Sequence, residues 1–303
     1  MEKTLLVLLG PTGVGKTALS IELAKRLKTE IISADSRQIY KGMVIGTAAP
    51  TTEEMDGVTH HFIQTISPET YYSASEYETD VLQLLQKLFL KHQTVIMTGG
   101  SMMYIDAVCK GIDDIPTIDE TMRKELYELY ESEGIDSIRS QLRILDPVFY
   151  NQVDLKNHKR VIHALEVCLM SGKPYSSLRT GNAKERDFKI IKIGLTRDRE
   201  ELYDRINQRV DAMVQDGLIE EAERLYPLRH LNSLNTVGYK ELFDYFDGKC
   251  TKEESVDRIK QHSRNYARKQ MTWFKRDEDI IWYDLSNQMN QKTLLNSIID
   301  INP

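Results

Sequence analysis

The octapeptide GPTGVGKT, at residues 10–17, strongly restricts the folds that this chain can adopt, because it satisfies the pattern G-x-x-x-x-G-K-[ST]. The apolar run Leu5 to Leu9 comes directly before it, and a segment whose apolar residues recur with helical period comes directly after it. The motif and its setting therefore predict a buried parallel strand that ends in a phosphate-binding loop, followed by a helix.

Each constrained position of this loop has a chemical reason. Gly13 and Gly15 allow the backbone to turn successive N–H groups inward, and the helix that begins near Lys16 adds the positive end of its dipole. Lys16 supplies a cation to the outer phosphate, and the Thr17 hydroxyl is expected to bind Mg²⁺. We therefore predict a diphosphate or triphosphate site formed by Gly10, Pro11, Thr12, Gly13, Val14, Gly15, Lys16 and Thr17. Such a loop recognises phosphate oxygens, so it does not distinguish ATP or another nucleotide from a different diphosphate.

Further buried strands follow along the chain. Glu30 to Ala34 and Thr94 to Thr98 read as two of them and Phe188 to Leu195 as another, with a helical segment from Ser73 to Leu90 among them. Strands that alternate with helices predict an α/β fold, here a P-loop NTPase-like parallel sheet flanked by helices. A short strand at Ile280 to Tyr283 is predicted last, and we expect the residues after it to form a tail.

The middle of the chain has a different character. From Ile118 to about Gly172 the pattern is helical throughout, and the polar stretch 176–187 reads as a flexible connection. We therefore predict an α/β core with C-terminal helices over residues 1–111 and 188–303, and an inserted all-helical module over residues 112–187.

Charge and cysteine content narrow the class of protein. The 40 basic and 46 acidic residues give a net charge of −6, so a polyanion has to be bound by a local patch rather than by the whole surface. The odd set Cys109, Cys168 and Cys250 lacks any C-x-x-C spacing and predicts a reducing compartment. No apolar run suits a signal peptide or a membrane span, so we expect a cytoplasmic protein without a membrane partner.

One strand end carries a carboxylate. Asp35 ends the strand IISAD, whereas TVIMT ends in Thr98-Gly99-Gly100, where a nucleotide hydrolase would normally carry a metal-binding Asp. Because the carboxyl ends of parallel strands face the binding crevice, Asp35 is expected to meet the reacting end of the ligand. Position alone leaves two roles open, a metal anchor and the catalytic base that we favour.

Two arginines stand one turn apart on a later helical segment. Arg205 and Arg209 share a face of the segment LYDRINQRVDAM and are predicted to point into the crevice. Spacing leaves equally open that they are solvated charges paired with Asp204 or Asp211.

Two local patches are basic enough to bind a phosphate backbone. Between Asp257 and Asp277 lie seven cations and no acid: Arg258, Lys260, Arg264, Arg268, Lys269, Lys275 and Arg276. Helical spacing places Lys260, Arg264 and Arg268 on one face. The second patch, in the helical module, contains Lys156, Lys159 and Arg160. Both patches are therefore expected to contact the phosphate backbone of a polyanion.

Together these motifs resemble the tRNA dimethylallyltransferases, the isopentenyltransferases that modify an adenosine beside the anticodon. The resemblance spans nearly the whole chain and is carried, besides the phosphate-binding loop, by DSRQIYKGM at 35–43, IGTA at 45–48, His60-His61, GGSM at 99–102, NHKRVIHALE at 157–166, GKP at 172–174, Gly238-Tyr239 and RKQ at 268–270. Arg37 departs from it, since the family usually has a smaller or apolar residue there. The chain ends without the zinc-finger segment of eukaryotic members, which suits the bacterial form.

The resemblance implies a reaction and its parts. A dimethylallyl group passes from dimethylallyl diphosphate to the exocyclic amine of the adenosine 3′ adjacent to the anticodon, with release of diphosphate and with Mg²⁺ as cofactor. Asp35 matches the family's base. Lys16, Thr17 and an arginine, Arg209 before Arg205, are expected to stabilise the leaving group.

The resemblance and the basic patches also indicate the partner, a tRNA anticodon stem-loop, and no obligate protein partner is evident. The predicted tRNA-binding residues are Asp35, Ser36, Arg37, Gln38, Ser101, Arg123, Lys159, Arg160, Arg264 and Arg268. Of these, Ser36, Arg37 and Gln38 are expected to bond an adenine flipped out of the loop.

Two rival functions fit the same residues. A small-molecule or nucleoside kinase of the P-loop class would share the fold and Lys16. A non-catalytic, nucleotide-gated RNA-binding protein would share the basic patches, and Asp35 would then be structural.

Overall fold

The structure is a computed structural model that describes residues 2–113, 115, 119–181, 183–286 and 288–300. The chain divides into two compact units, an α/β unit formed by Met1–Cys109 with Arg186–Pro303, and a helical unit formed by Lys110–Glu185. The two predicted boundaries, 111/112 and 187/188, each lie two residues later than those of the structure.

A parallel sheet organises the α/β unit. Its strands are β1 (Thr4–Leu9), β2 (Ile31–Ala34), β3 (His60–His61), β4 (Thr94–Gly99), β5 (Lys189–Thr196) and β6 (Ile281–Asp284), in the order β3-β2-β4-β1-β5-β6. All paired strands run parallel. The predicted fold class is therefore confirmed. The two-residue strand β3 was not predicted, because it is too short to leave a pattern.

The helices are α1 (Lys16–Leu27), α2 (Thr52–Met55), α3 (Ala74–Leu88), α4 (Met102–Lys110), α5 (Glu120–Glu133), α6 (Ile135–Leu145), α7 (Pro147–Tyr150), α8 (His158–Ser171), α9 (Tyr175–Leu178), α10 (Arg199–Gln215), α11 (Leu218–Leu225), α12 (Tyr239–Phe246), α13 (Lys252–Phe274) and α14 (Gln288–Asp300). Helices α5 to α9 form the helical unit. Several begin at capping residues, as Thr251 shows by accepting the Glu254 N–H at the start of α13. Within the described residues, no helix is both long and apolar enough to cross a membrane.

Strand β1 lies at the centre of the core because both of its faces are covered. Leu6 and Leu8 pack with α1 and α10 on one face, whereas Leu5, Val7 and Leu9 pack with α3 and α4 on the other. Alternate side chains of a strand point to opposite faces, so a strand covered on both sides has to be apolar throughout. This buried strand fixes the position of the loop that follows it.

Two expectations about the chain were wrong. Instead of a tail, the segment after β6 forms α14, whose Leu294 and Leu295 are buried in the core under the sheet. The stretch 176–187 is not a uniformly flexible connection, since the Arg186 side chain is 9% exposed and pairs with the buried Glu78 at 2.7 Å. The helical spacing of the apolar pairs at 294–295 and 298–299 was overlooked, and Arg186 gave no local sign of its partner because Glu78 is distant in sequence.

Candidate active site

The phosphate-binding loop connects β1 to α1 in a conformation that needs glycine at two places. Gly15 precedes the first residue of α1 with φ of 111°, a region that side chains disfavour. At Gly10, a Cβ would lie 2.6 Å from the Leu195 carbonyl oxygen of the neighbouring strand β5. The spacing of glycines in the motif therefore reflects one backbone bend and one close approach between strands.

Lys16 is bound by the loop itself. Its Nζ donates to the carbonyl oxygens of Gly10 at 2.9 Å and Pro11 at 2.8 Å. Burial and, to a smaller extent, the nearby Arg209 together lower the pKa of Lys16 to about 7, although Asp35 acts in the opposite direction. An anion bound in the loop would stabilise the ammonium form.

Both predicted arginines reach the loop from α10. The Arg205 Nε donates to the Gly13 carbonyl at 2.9 Å, and the Arg209 Nη1 donates to the Thr12 hydroxyl at 3.2 Å. Burial lowers the pKa of Arg209, and the Asp35 carboxylate opposes that effect. Neither arginine pairs with Asp204 or Asp211. The latter carboxylate binds Lys260 instead, at 2.6 Å.

Three cations thus converge on one loop without neutralising partners. Across the described ranges, Lys16, Arg205 and Arg209 form no ion pair, although Lys16 and Arg209 are half-buried. Burying an unpaired cation is costly, and a bound polyanion offsets that cost. The geometry therefore suits a diphosphate.

Asp35 stands at the end of β2 with one oxygen held and one available. Its Oδ1 accepts the backbone N–H groups of Arg37 at 2.8 Å and Gln38 at 3.2 Å. In the part of the chain that the structure describes, Oδ2 has no hydrogen-bond partner. A carboxylate fixed by one oxygen can accept a proton through the other.

Two cavities meet at Asp35. The first, which we call the donor cavity, measures about 920 Å³ and is lined by the phosphate-binding loop, Arg205 and Arg209. The second, the acceptor cavity, measures about 720 Å³ and is lined by residues 35–37, residues 235–238 and one face of α13. Six residues line both cavities: Thr12, Asp35, Thr47, Arg209, Met213 and Tyr266. Two ligands that enter from the two cavities would meet beside the Asp35 carboxylate.

The predicted adenine-binding residues already have protein partners. Gln38 donates from Nε2 to the carbonyls of Thr47 at 3.1 Å and Ala48 at 3.0 Å, and Arg37 donates to the carbonyl of Asn232 at 2.9 Å. Ser101 accepts the Ser36 N–H at 2.8 Å. Ser36, Arg37 and Ser101 therefore line the acceptor cavity, whereas Gln38 lines the donor cavity, and their contact with RNA stays a prediction.

The basic residues on α13 differ in their surroundings. Arg264 is half-buried against α10, where it donates to the Asn207 Oδ1 at 2.5 Å, and Lys260 pairs with Asp211. Arg268 is exposed. Of the three residues predicted to share one face of α13, Lys260 and Arg264 bond to the neighbouring helix α10, and the predicted contacts of Arg264 and Arg268 with tRNA stay predictions.

In the helical unit, the predicted residues fall into two groups. Arg123 makes a two-pronged pair with Glu166, whose side chain is fully buried, with Nη2 to Oε2 at 2.8 Å. Lys159 and Arg160 are exposed in the first turn of α8. Cations are unfavourable at the positive end of a helix dipole, so a phosphate nearby would offset that cost.

Sequence reasoning left two buried residues without a role. Glu221 accepts the backbone N–H groups of Ile45 at 2.9 Å and Gly46 at 2.8 Å, and the Tyr239 hydroxyl at 2.7 Å. Gln270 bonds to the phosphate-binding loop through its side-chain amide. Both partners are distant in sequence, so no local spacing could have indicated them.

Comparison with known proteins gives a consistent picture. The family model for IPP transferase matches residues 38–277. The chain is 60% identical to tRNA dimethylallyltransferase 1 of Phocaeicola vulgatus over 98% of this chain and 99% of that protein. It is 48% identical to the tRNA dimethylallyltransferase of Christiangramia forsetii over 98% of each. Among solved structures, the tRNA isopentenylpyrophosphate transferase of Bacillus halodurans superposes with a TM-score of 0.71 at 39% identity, covering 99% of this chain and 96% of that one.

Proposed function

This chain belongs to the IPP transferase family of tRNA dimethylallyltransferases and is a prenyltransferase that transfers a dimethylallyl group to tRNA, and we propose here how its residues divide that work. The proposed donor is dimethylallyl diphosphate, bound in the donor cavity. The proposed acceptor is the exocyclic amine of the adenosine 3′ adjacent to the anticodon, presented from the acceptor cavity.

The observation that carries the donor assignment is the group of unpaired cations at the phosphate-binding loop. Lys16, Arg205 and Arg209 lie around backbone N–H groups that open a helix, which is the arrangement that stabilises phosphate oxygens. Negative charge accumulates on the diphosphate as the allylic C–O bond breaks. Donors already in place at that position lower the barrier without reorganisation.

The proposed cofactor is Mg²⁺, and the residues present fit it. The Thr17 hydroxyl is an oxygen ligand in the exposed first turn of α1. Because the described residues hold no cluster of three metal-binding side chains, the ion would be held by Thr17, water and the donor's phosphate oxygens, as Mg²⁺ prefers. When bound, it would add positive charge beside the leaving group.

Asp35 is the proposed base. The exocyclic amine of adenine is a weak nucleophile because its lone pair is delocalised into the ring. Asp35 Oδ2 is oriented by the bonds that hold Oδ1, and it lies where both cavities meet. As the nitrogen bonds to the allylic carbon and the C–O bond breaks, the amine proton passes to this carboxylate.

The acceptor cavity is proposed to receive an adenine that has left the stack of the anticodon loop. Extrusion costs a few kcal/mol and is least costly for nucleotides of a loop. Exposed Arg268 on α13 and exposed Lys159 and Arg160 on α8 are proposed to contact the RNA backbone. We also propose a cytoplasmic location, because the substrate of the protein is tRNA.

The experiment that tests this proposal is label transfer. The protein is incubated with Mg²⁺, radiolabelled dimethylallyl diphosphate and an unmodified anticodon stem-loop, and the labelled nucleotide is mapped. We expect label only on the adenosine 3′ to the anticodon. Label elsewhere contradicts the proposed acceptor. Phosphoryl transfer from ATP to a small molecule, with no prenyl transfer, would instead support the kinase alternative.

A further inference from the structure

A buried amide joins three separate segments of the α/β unit. Gln270 lies on α13 and is 1% exposed. Its Oε1 accepts a hydrogen bond from the Thr12 N–H at 2.9 Å, and its Nε2 donates to the Gly100 carbonyl at 2.8 Å. Thr12 belongs to the phosphate-binding loop and Gly100 follows β4. One side chain therefore ties both of these loops to α13.

The fit around this amide is tight and oriented. A Cβ on Gly100 would lie 2.3 Å from the Gln270 Nε2, so the close approach requires glycine at that position. A backbone N–H only donates and a carbonyl only accepts. The two partners therefore fix which way the amide points, and a side chain that lacks either the donor or the acceptor leaves a buried group unpaired.

Through Thr12, the amide reaches the cations of the donor cavity. The Thr12 N–H is held by Gln270, while its hydroxyl accepts a hydrogen bond from the Arg209 Nη1 at 3.2 Å. Thr12 and Arg209 both line the two cavities. A shift of Gln270 would therefore displace Thr12 and the guanidinium that is bonded to it.

The same helix also lines the acceptor cavity. Tyr266, one turn before Gln270, lines both cavities. Arg268, between them in sequence, is exposed on another face. Helix α13 thus carries an acceptor-side residue, a proposed RNA contact and the amide that holds the phosphate-binding loop.

We propose that Gln270 is a positioning residue for the transfer reaction. It holds Thr12, and through it Arg209, where negative charge develops on the departing diphosphate. The inference rests on the function proposed above. Because Gln270 is enclosed and acts through its neighbours, its loss should lower kcat and leave the KM for the stem-loop nearly unchanged.

The first test replaces the amide by an apolar group of similar size. Gln270→Leu removes both hydrogen bonds, and we expect kcat to fall about 10- to 100-fold, the usual effect of a displacement near 1 Å at a reacting centre. The KM for the stem-loop should stay within twofold. The matched control is Trp273→Phe, which removes a different hydrogen bond of α13. That bond runs from the Trp273 Nε1 to the Asp106 Oδ2 on α4 at 2.8 Å, and it does not involve the phosphate-binding loop. The kcat of Trp273→Phe should stay within twofold of the wild type even if its melting temperature falls as far as that of Gln270→Leu.

The second test uses protonation to restore the bonds. In Gln270→Glu, one carboxylate oxygen still accepts the Thr12 N–H, but the other opposes the Gly100 carbonyl oxygen. Protonation turns that oxygen into a donor, and burial raises the pKa of such a carboxyl group. We therefore expect the ratio of the variant's kcat to that of the wild type to rise as the pH falls from 8.5 to 6.

The outcomes separate this inference from the function on which it rests. If the wild type transfers no label, the proposed function fails and the inference fails with it. If the wild type transfers label and Gln270→Leu matches Trp273→Phe in kcat, Gln270 is only structural. A kcat ratio for Gln270→Glu that stays flat with pH overturns the positioning role as well, and this measurement remains decisive if the leucine variant does not fold.

Discussion

The donor and acceptor cavities meet at the same carboxylate, yet they are built in different ways. The donor cavity contains one contiguous phosphate-binding loop, residues 10–17, and its other walls come from distant segments that include Arg205 and Arg209. The acceptor cavity is assembled from residues 35–37, residues 235–238 and α13, which are far apart in sequence. Phosphate is recognised by local backbone geometry, whereas a flipped base requires a wall of side chains brought together by the fold. The conformation of the loop is therefore set largely by its own sequence, whereas its position and the other walls of both cavities depend on packing between distant segments, as the bond from Thr12 to Gln270 shows.

The largest effect is expected where the two cavities meet. Asp35→Asn keeps the side-chain shape and the bonds to the backbone but removes the proton acceptor. We expect kcat to fall about 10²- to 10⁴-fold, the range for loss of a general base. Donor and stem-loop dissociation constants, measured by titration, should each change less than about threefold. A kcat within about threefold of the wild type would show that the junction does not need a base.

A pH effect is expected at the donor cavity. The Lys16 pKa is about 7 in the free protein, and a bound diphosphate should raise it, so binding above pH 7 takes up a proton. The dissociation constant of an unreactive donor, dimethylallyl thiolodiphosphate, should therefore increase by up to about tenfold per pH unit above pH 7.

The matched control for this pH effect is Lys16→Arg, because a guanidinium does not deprotonate in this range. Calorimetric titrations of the two proteins at several pH values also remove the contribution of the donor's own titration. Identical slopes for both proteins would contradict the role of Lys16.

An intermediate effect is expected when Glu221, the buried carboxylate that supports the donor cavity, is replaced. Glu221→Gln loses one acceptor, and each backbone N–H left unpaired costs about 1–3 kcal/mol. We expect the free energy of unfolding to fall by about that amount and kcat/KM for the donor to fall about tenfold. The KM for the stem-loop should stay within twofold.

Glu223→Gln, at an exposed position of the same helix, is the control for that experiment and should match the wild type. If instead Glu221→Gln raised the KM for the stem-loop and left the donor kinetics intact, the carboxylate would belong to the acceptor side.

The smallest effect is expected at the RNA backbone. Arg268→Ala removes an exposed cation, so the stem-loop should bind a few-fold more weakly and the slope of log K against log salt should become shallower by about 1. Lys87→Ala, at an exposed position of α3, should leave that slope unchanged. Filter-binding at several salt concentrations measures both, and equal slopes for the two variants would exclude Arg268 as a phosphate contact.

Predictability from sequence follows whether a feature is contiguous in sequence or is assembled from distant residues by the fold. The phosphate-binding loop and Asp35 were predictable because motif, strand and helix are contiguous there. Gln270 and Glu221 were not, since their partners Thr12 and Gly46 lie 258 and 175 residues away. Helical spacing predicted that Lys260 and Arg264 share one face of α13, but it could not predict which element packs against that face.

The fold shows the same limit. Strand β1 was predictable because a strand covered on both faces is a continuous apolar run. Strand β3 is two residues long and leaves no local pattern, whereas α14 carries two apolar pairs four residues apart, at 294–295 and 298–299, a helical spacing that the expectation of a tail overlooked. Arg186 was interpreted as a charge in a linker, because the sequence around it gives no sign of its buried partner Glu78.

The most direct test of the central claim is a crystal structure of the protein with dimethylallyl thiolodiphosphate and an unmodified anticodon stem-loop. We predict the diphosphate against the N–H groups of residues 13–17, and the exocyclic nitrogen of a flipped adenine about 2.6–3.2 Å from the Asp35 Oδ2. A diphosphate bound outside the donor cavity, or an adenine amine beyond the reach of Asp35, would contradict the account.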